Sequence, residues 1–388
     1  MESEAGRVTL GTPLASIRVA DFTRVLAGPL ATMTLADLGA DVIKVERPGS
    51  GDETRSWGPP WSAHGSTYFE CVNRTKRSIA LNLRDPVDRA TALRIAQDAD
   101  VVIENFAPGT MERLGLGYDA VSTGNPGVVY CSISGFGSAA PDGLLGYDFV
   151  VQAVGGLMSI TGDPDGVPTK VGVALVDVLT GKDAVIGILA ALEGRRRTGR
   201  GDRIEVSLLS SLLAGLVNQV QAALETGRPG QRLANRHPSI APYETLRCSD
   251  GVVAVACGND AQFARLTGVL GLPELATDPR FAGNADRVGH RDTLAELLEQ
   301  RLRTGSAAAW VERLTRAKVP AGRVNTIPEA LAFAQQVGLD PVVDVGPGHT
   351  RQVRPPIRWT AYSTRPPTPP PALGADTGAV FGLTKEML

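Results

Sequence analysis

The thirty residues IRVADFTRVLAGPLATMTLADLGADVIKVE (17–46) decide the fold. Residues 17–22 form a short apolar, β-prone run. Residues 27–38 carry the spacing of a helix that Gly39 stops, and 41–46 again read as a strand. Strand, helix and strand at this spacing predict a βαβ crossover with two parallel strands. The pattern recurs as a strand at 78–83, a helix at 87–97, a strand at 100–104 and, after the Asn125-Pro126-Gly127 turn, a strand at 128–133. Such alternation places the chain in the α/β class, with a mostly parallel, helix-covered sheet.

Further along, 146–160 reads as one helix and 177–196 as a longer, strongly apolar helix expected to pack deep inside. A strand at 203–207 and a helix at 208–225 follow, then a Pro- and Gly-rich polar stretch at 228–242. A second α/β segment has a strand at 251–256 and helices at 261–270, 291–303 and 307–317. Residues 341–362 alternate like a strand, and the Pro-rich 365–373 predicts an extended arm lying on another surface. A chain of 388 residues exceeds most single cores. We divide it into a large-domain part at 1–210, a linker at 211–242, a small α/β domain at 243–325, and a linker with a C-terminal part at 326–388.

A formal charge of −2 and an isolated basic run at 195–203 leave no nucleic-acid footprint, and that run fits a solvated helix end. Cysteines at 71, 131, 248 and 257 form no C-x-x-C pair and have no histidine at metal spacing, so neither a metal site nor a disulfide framework is expected. No apolar run approaches a bilayer span and no leader precedes the first strand, so a cytoplasmic protein is expected. Residues 23–29, TRVLAGP, lack the G-x-G-x-x-G that close approach to a pyrophosphate requires, which disfavours NAD. Glu46, placed where a ribose-binding carboxylate could sit, then reads as a surface residue. No G-x-S-x-G elbow is present, and four histidines offer no hydrolase spacing.

Asp177 stands between the apolar run 171–176 and the apolar helix that follows. As a helix N-cap it would accept orphan backbone N–H groups. As a nucleophile it would be a carboxylate held ionised by the helix dipole while shielded from water. Position alone leaves both readings open.

The segments DFTRVLAGP (21–29), LGADVIKVERPGSGD (38–52), NRTKRSIALNL (73–83), VVIENFAPG (101–109), GYDFVVQAVGGLMSITG (146–162), KVGVALVDVLTG (170–181) and RTGRGD (197–202) resemble the class III CoA-transferases, the CaiB/BaiF family. The resemblance implies an acyl-CoA:carboxylate CoA-transferase with Asp177 as nucleophile, forming a mixed anhydride. It implies CoA as substrate, with no prosthetic group and no metal. Val25, Ala27, Arg47, Leu81, Arg84, Asn105, Phe106 and Arg113 would contact CoA, the three arginines matching phosphate oxygens by their forks. It also implies a Rossmann-like large domain built from both termini, a small α/β domain, and a ring-shaped chain forming an interlocked homodimer, with neither nucleic acid nor membrane as partner.

Departures from the family pattern sharpen the expectation. Leu26 stands where the formyl-CoA enzymes carry a Gln, and their Gly-rich closing loop has no counterpart, which points away from formyl-CoA and oxalyl-CoA; the family's terminal GEHT reads GADT (374–377), so any role of that His is absent. The related α-methylacyl-CoA racemases use a His-Asp pair where this chain has Tyr147-Asp148. Proton exchange beside a thioester needs a base on each face, so transfer is the better reading, with racemase and non-catalytic CoA binder as alternatives. Tyr147 is either a hydrogen-bond donor near the reacting carbonyl or a core tyrosine satisfied by backbone. RHPSIAPY (236–243) resembles the succinyl-CoA:dicarboxylate branch. That implies a dicarboxylic acceptor held by His237, Ser239 and Arg236 or Arg232, unless the stretch is a turn-forming linker.

Overall fold

The computed structural model describes residues 10–141 and 143–380, which divide into two compact units. The first comprises residues up to 157, 171–228 and 340 onwards; the second comprises 158–170 and 229–339.

A six-stranded sheet organises the first unit: β1 (Arg18–Asp21), β2 (Asp41–Glu46), β3 (Arg77–Ala80), β4 (Val101–Glu104), β5 (Val129–Ser134) and β6 (Asp202–Ser207). Its order is β3-β2-β1-β4-β5-β6, every pair parallel. Val101, Val102 and Ile103 are fully buried, as β-branched runs in a sheet covered on both faces should be. Strand order reverses between β1 and β4, opening the crevice where α/β sheets bind ligands. The covering helices are α1 (Ala27–Asp37), α2 (Pro86–Asp98), α3 (Asp148–Val154), α4 (Leu175–Thr198), α5 (Leu208–Gly215) and α6 (Val217–Thr226). α2 starts as its sequence dictates: Asp85 accepts from the N–H groups of Val87 and Asp88, and Pro86 fills the first helical position.

An ionic layer lies inside this unit. Lys44 pairs with Asp52 at 2.9 Å and Lys76 with Asp21 at 3.2 Å, all four side chains sealed from solvent, while Arg74 grips Asp37 at 2.6 Å. Glu46 belongs to the same layer. It is buried, salt-bridged to Arg55 at 2.7 Å and accepts from Ser78 Oγ at 2.6 Å, so it is not a surface residue, and its occupied oxygens leave no ribose acceptor. The C-terminal segment returns to this unit: Thr75 N–H donates to the Thr368 carbonyl at 3.0 Å, and Asp376 accepts from Ser78 N–H at 2.8 Å, covering the edge strand β3.

Several expected elements differ. The helix read over 146–160 is broken: α3 stops at Val154, Gly156 takes φ +89°, and Leu157–Ile160 is a separate 3-10 turn. Residues 208–225 form two helices, parted where Val217 takes φ +40°. The alternation over 341–362 yields only the pair Val342–Val343 and Gln352–Val353. α4 begins at Leu175, and it is not buried all round, since Ile186 is 65% exposed.

In the second unit, β7 (Tyr243–Arg247), β8 (Val252–Ala256) and β9 (Ala321–Arg323) form an antiparallel sheet in the order β9-β8-β7. With it are α7 (Asp260–Leu270), α8 (Arg291–Leu302) and α9 (Ala307–Arg316), joined through a core including Val253, Phe263, Leu298 and Trp310. Arg287 is wholly buried there, paired with Asp260 at 2.6 Å and donating to the carbonyls of Ala241 and Phe281. Among the described residues no helix is long and apolar enough to cross a membrane.

Candidate active site

The N-terminus of α4 carries the site. Asp148 is placed in the first turn of α3, and its Oδ1 accepts from Val176 N–H at 2.8 Å and from Asp177 N–H at 3.3 Å. Its other oxygen accepts from Gln152 Nε2 at 2.6 Å. The orphan donors that an N-cap would satisfy are thus met by Asp148, from another helix. Asp177 is the third residue of α4, after Ala174 at the cap position, and its carboxylate accepts no hydrogen bond among the described residues. The N-cap reading of Asp177 is overturned.

Its surroundings disfavour the charged form. Burial first, and then the neighbouring Asp148, push the Asp177 carboxyl up to about 7. Lost hydration and like charge thus both oppose the ionised form that a helix terminus favours. Tyr68 lies within the same field: burial, then the charges of Asp177, Cys71, Asp148 and Asp52, push its phenol up to about 12.

Facing Asp177 is the turn after β1. Asn105 clamps it reciprocally, accepting from Arg24 N–H at 2.9 Å and donating to the Arg24 carbonyl at 2.7 Å. Asp52 accepts from Val25 N–H at 3.3 Å. Val25 takes φ +71°, a conformation a β-branched residue adopts only when its surroundings impose it. Gly28 has no room for a side chain, because a Cβ there would lie 2.3 Å from the Cβ of Thr23.

Two cavities meet at this turn. A chamber of about 240 Å³ is lined by Asp177 together with Arg24, Val25, Leu26, Ala27 and Asn105. A cleft of about 1070 Å³ runs along the carboxyl ends of β1, β2 and β3 and is lined by Arg47, Leu81 and Arg84. Arg24, Glu53, Phe106 and Tyr147 line both. Seven of the eight residues expected to contact CoA therefore border these spaces. Arg113 does not; it donates to Thr110 Oγ1 at 2.9 Å, and Thr110 borders the cleft. Arg47 and Arg84 form no ion pair among the described residues, which leaves both guanidiniums available to an anion. Tyr147 is 53% exposed at the junction, so it is not a core tyrosine satisfied by backbone.

His237 and Ser239 belong to the second unit, where Ser239 N–H donates to His237 Nδ1 at 3.0 Å. Arg236 is engaged there by Glu244 and Asp292, and Arg232 by the carbonyls of Asp163, Pro164 and Gly166. Sequence reasoning missed Arg24, although it sits inside the TRVLAGP stretch. It also missed the capping role of Asp148, for which no local signal exists, since its partner helix begins far downstream.

The profile of CoA-transferase family III matches residues 14–377. A succinate–glutarate CoA-transferase of Agrobacterium fabrum is 43% identical over 383 residues, covering 95% of both chains. An acetyl-CoA:oxalate CoA-transferase of Acetobacter aceti is 43% identical over 336 residues, covering 86% of both. The crystal structure of a CaiB/BaiF family protein from Brucella suis superposes with a TM-score of 0.86 at 42% identity, covering 96% of this chain and 99% of that one.

Proposed function

The chain belongs to CoA-transferase family III, and from that premise we propose that it moves CoA between acyl-CoA and a dicarboxylic acid through mixed anhydrides on Asp177. It is an acyl-CoA:carboxylate CoA-transferase. The observation that carries the assignment of the nucleophile is the Asp177 carboxylate, which faces the small chamber with its own helix terminus already capped by Asp148.

The chemistry balances without an outside reagent. An oxygen of ionised Asp177 attacks the thioester carbonyl, the C–S bond breaks, and the CoA thiolate leaves an acyl–aspartyl anhydride. The thiolate attacks the aspartyl carbonyl of that anhydride, releasing the donor acid and forming an aspartyl thioester. The acceptor carboxylate attacks this thioester, freeing the thiolate and forming a second anhydride. Thiolate attack on its acceptor-derived carbonyl then yields the new acyl-CoA and restores Asp177. An anhydride keeps each acyl group activated, which a serine ester would not. In this reading CoA lies in the larger cleft, with Arg47 and Arg84 on its phosphates and Arg113 beside Thr110.

Relatives named for glutarate and for oxalate favour a diacid acceptor, and the oxalate relative keeps oxalyl-CoA in the panel despite Leu26. We extend the proposal to His237 and Ser239 as acceptor-site residues and to the domain division 1–210, 211–242, 243–325 and 326–388. We extend it also to an interlocked homodimer of ring-shaped chains. Phe149, Val154, Ile186, Leu213, Val217 and Leu224 leave α3 to α6 with an exposed apolar face, which supports burial against a second copy. Four free cysteines suit a cytoplasmic location.

Incubation of the purified protein with succinyl-CoA and a panel of mono- and dicarboxylic acids, with hydroxylamine trapping and mass spectrometry, is expected to give new acyl-CoA and a hydroxamate at Asp177. Transfer with no adduct at Asp177 removes the anhydride scheme; deuterium entry α to the thioester without transfer would favour a racemase. Light scattering is expected to report a dimer.

A further inference from the structure

We propose that Arg24 is the specificity-determining residue of the acyl chamber, binding the free carboxylate of the diacid in both halves of the reaction. The proposal rests on the transferase reading above and adds the residue that selects the acid.

Among the described residues lining the Asp177 chamber, Arg24 is the sole cation. It also borders the CoA cleft, so its guanidinium stands at the junction between the two spaces. Its backbone is held from both sides by Asn105, and the guanidinium lies over the Phe106 ring, 4.7 Å from the centroid. Its Nε is buried and has no hydrogen-bond partner, whereas Nη1 pairs with Glu53 at 2.7 Å. Both members of that pair are substantially exposed, at 33% and 44%, and such pairs contribute little. A substrate carboxylate that displaced Glu53 and met the two terminal Nη groups of the fork would gain a bidentate geometry that the single Nη1 contact with Glu53 lacks. A diacid brought into a small chamber beside a carboxylate nucleophile needs a cation for its second charge. Arg232 and Arg236 are engaged elsewhere by carbonyls and carboxylates, which leaves Arg24 to fill the role. Donor acyl group and acceptor acid visit the same chamber in turn, so one guanidinium serves both.

The test is kcat/KM for succinate and glutarate against butyrate as acceptors, and for succinyl-CoA against butyryl-CoA as donors, in wild type, Arg24→Met and Arg24→Lys. The diacid-over-monoacid ratio is expected to fall about 10- to 100-fold in Arg24→Met, in both the acceptor and the donor series, whatever the overall loss. Arg24→Lys, which keeps the charge without the fork, is expected to recover part of the ratio, and it carries the test alone should the Met variant not fold. A ratio unchanged in the folded variants overturns the proposal, because a residue that merely shapes the turn slows all acids alike. Wild type inactive on every acid would instead sink the transferase reading.

Discussion

Replacing Asp177 with Asn removes a charge while keeping the shape, and it is expected to abolish transfer and stabilise the protein together. A carboxyl raised from an ordinary value of 3.8 to about 7 binds its proton more tightly when folded than when unfolded. The sign follows: its favourable contribution is complete below pH 3.8 and is lost as pH rises through about 7, where the folded protein must hold a buried, poorly hydrated anion. Three pKa units correspond to about 4 kcal/mol as a ceiling, since one unit is about 1.4 kcal/mol. Asp177→Asn escapes that cost. The stability gap between variant and wild type should therefore be about 1 kcal/mol near pH 4.5 and grow toward about 4 kcal/mol above pH 8, less whatever local water penetration recovers.

Urea unfolding of both proteins across pH 4.5 to 8.5, at matched protein concentration so that any dimer contributes equally, reads this difference directly. The transition midpoints should diverge as pH rises. Parallel curves, or a variant less stable than wild type at pH 8, would refute the argument that burial and Asp148 govern this carboxyl. Loss of activity alone would not rescue it, because removing any essential residue has that effect.

Other perturbations probe the supports of the site. Since ionised Asp177 is the attacking form, kcat/KM for the acyl-CoA donor should rise with pH to a plateau above about 7. Asp148→Asn removes one of the two causes of the upward shift while leaving an oxygen for the α4 cap, so the acidic limb should move to lower pH; a limb that stays in place refutes the coupling. Gly181→Ala places a Cβ 2.7 Å from the Ala27 carbonyl oxygen, forcing α4 away from α1 one turn from Asp177. A stability loss of about 1–3 kcal/mol and a fall in kcat of about tenfold or more are expected, and wild-type kinetics would show that the helix contact does not position the nucleophile. Arg287→Met leaves the carbonyls of Ala241, Phe281 and Ala282 without their donor in the second unit, while Asp260, 67% exposed, returns to water, and it should cost about 1–3 kcal/mol in thermal or urea unfolding. A variant as stable as wild type would mean that water takes over those acceptors.

What the sequence made legible is what neighbouring residues decide among themselves. β2 falls on the six residues read as a strand, 41–46, and α1 ends one residue from its expected stop, because Gly39 and the apolar spacing act within a turn or two. The resemblance located Asp177 and most of the cleft, since it reports positions. Their state is another matter, set by residues that meet only in space. Asp148 lies 29 positions before Asp177, yet it caps the helix and raises the carboxyl that the dipole alone would have kept acidic. Lys44 sits in a strand whose alternation predicts nothing of its burial against Asp52. Arg24 is illegible for the same reason, being one polar residue in a turn until Asn105, Glu53 and Phe106 converge on it. Ile186 makes the converse point. A helix read as strongly apolar predicts burial, yet Ile186 is 65% exposed, because a side chain's burial depends on what packs against it and not on its own hydropathy.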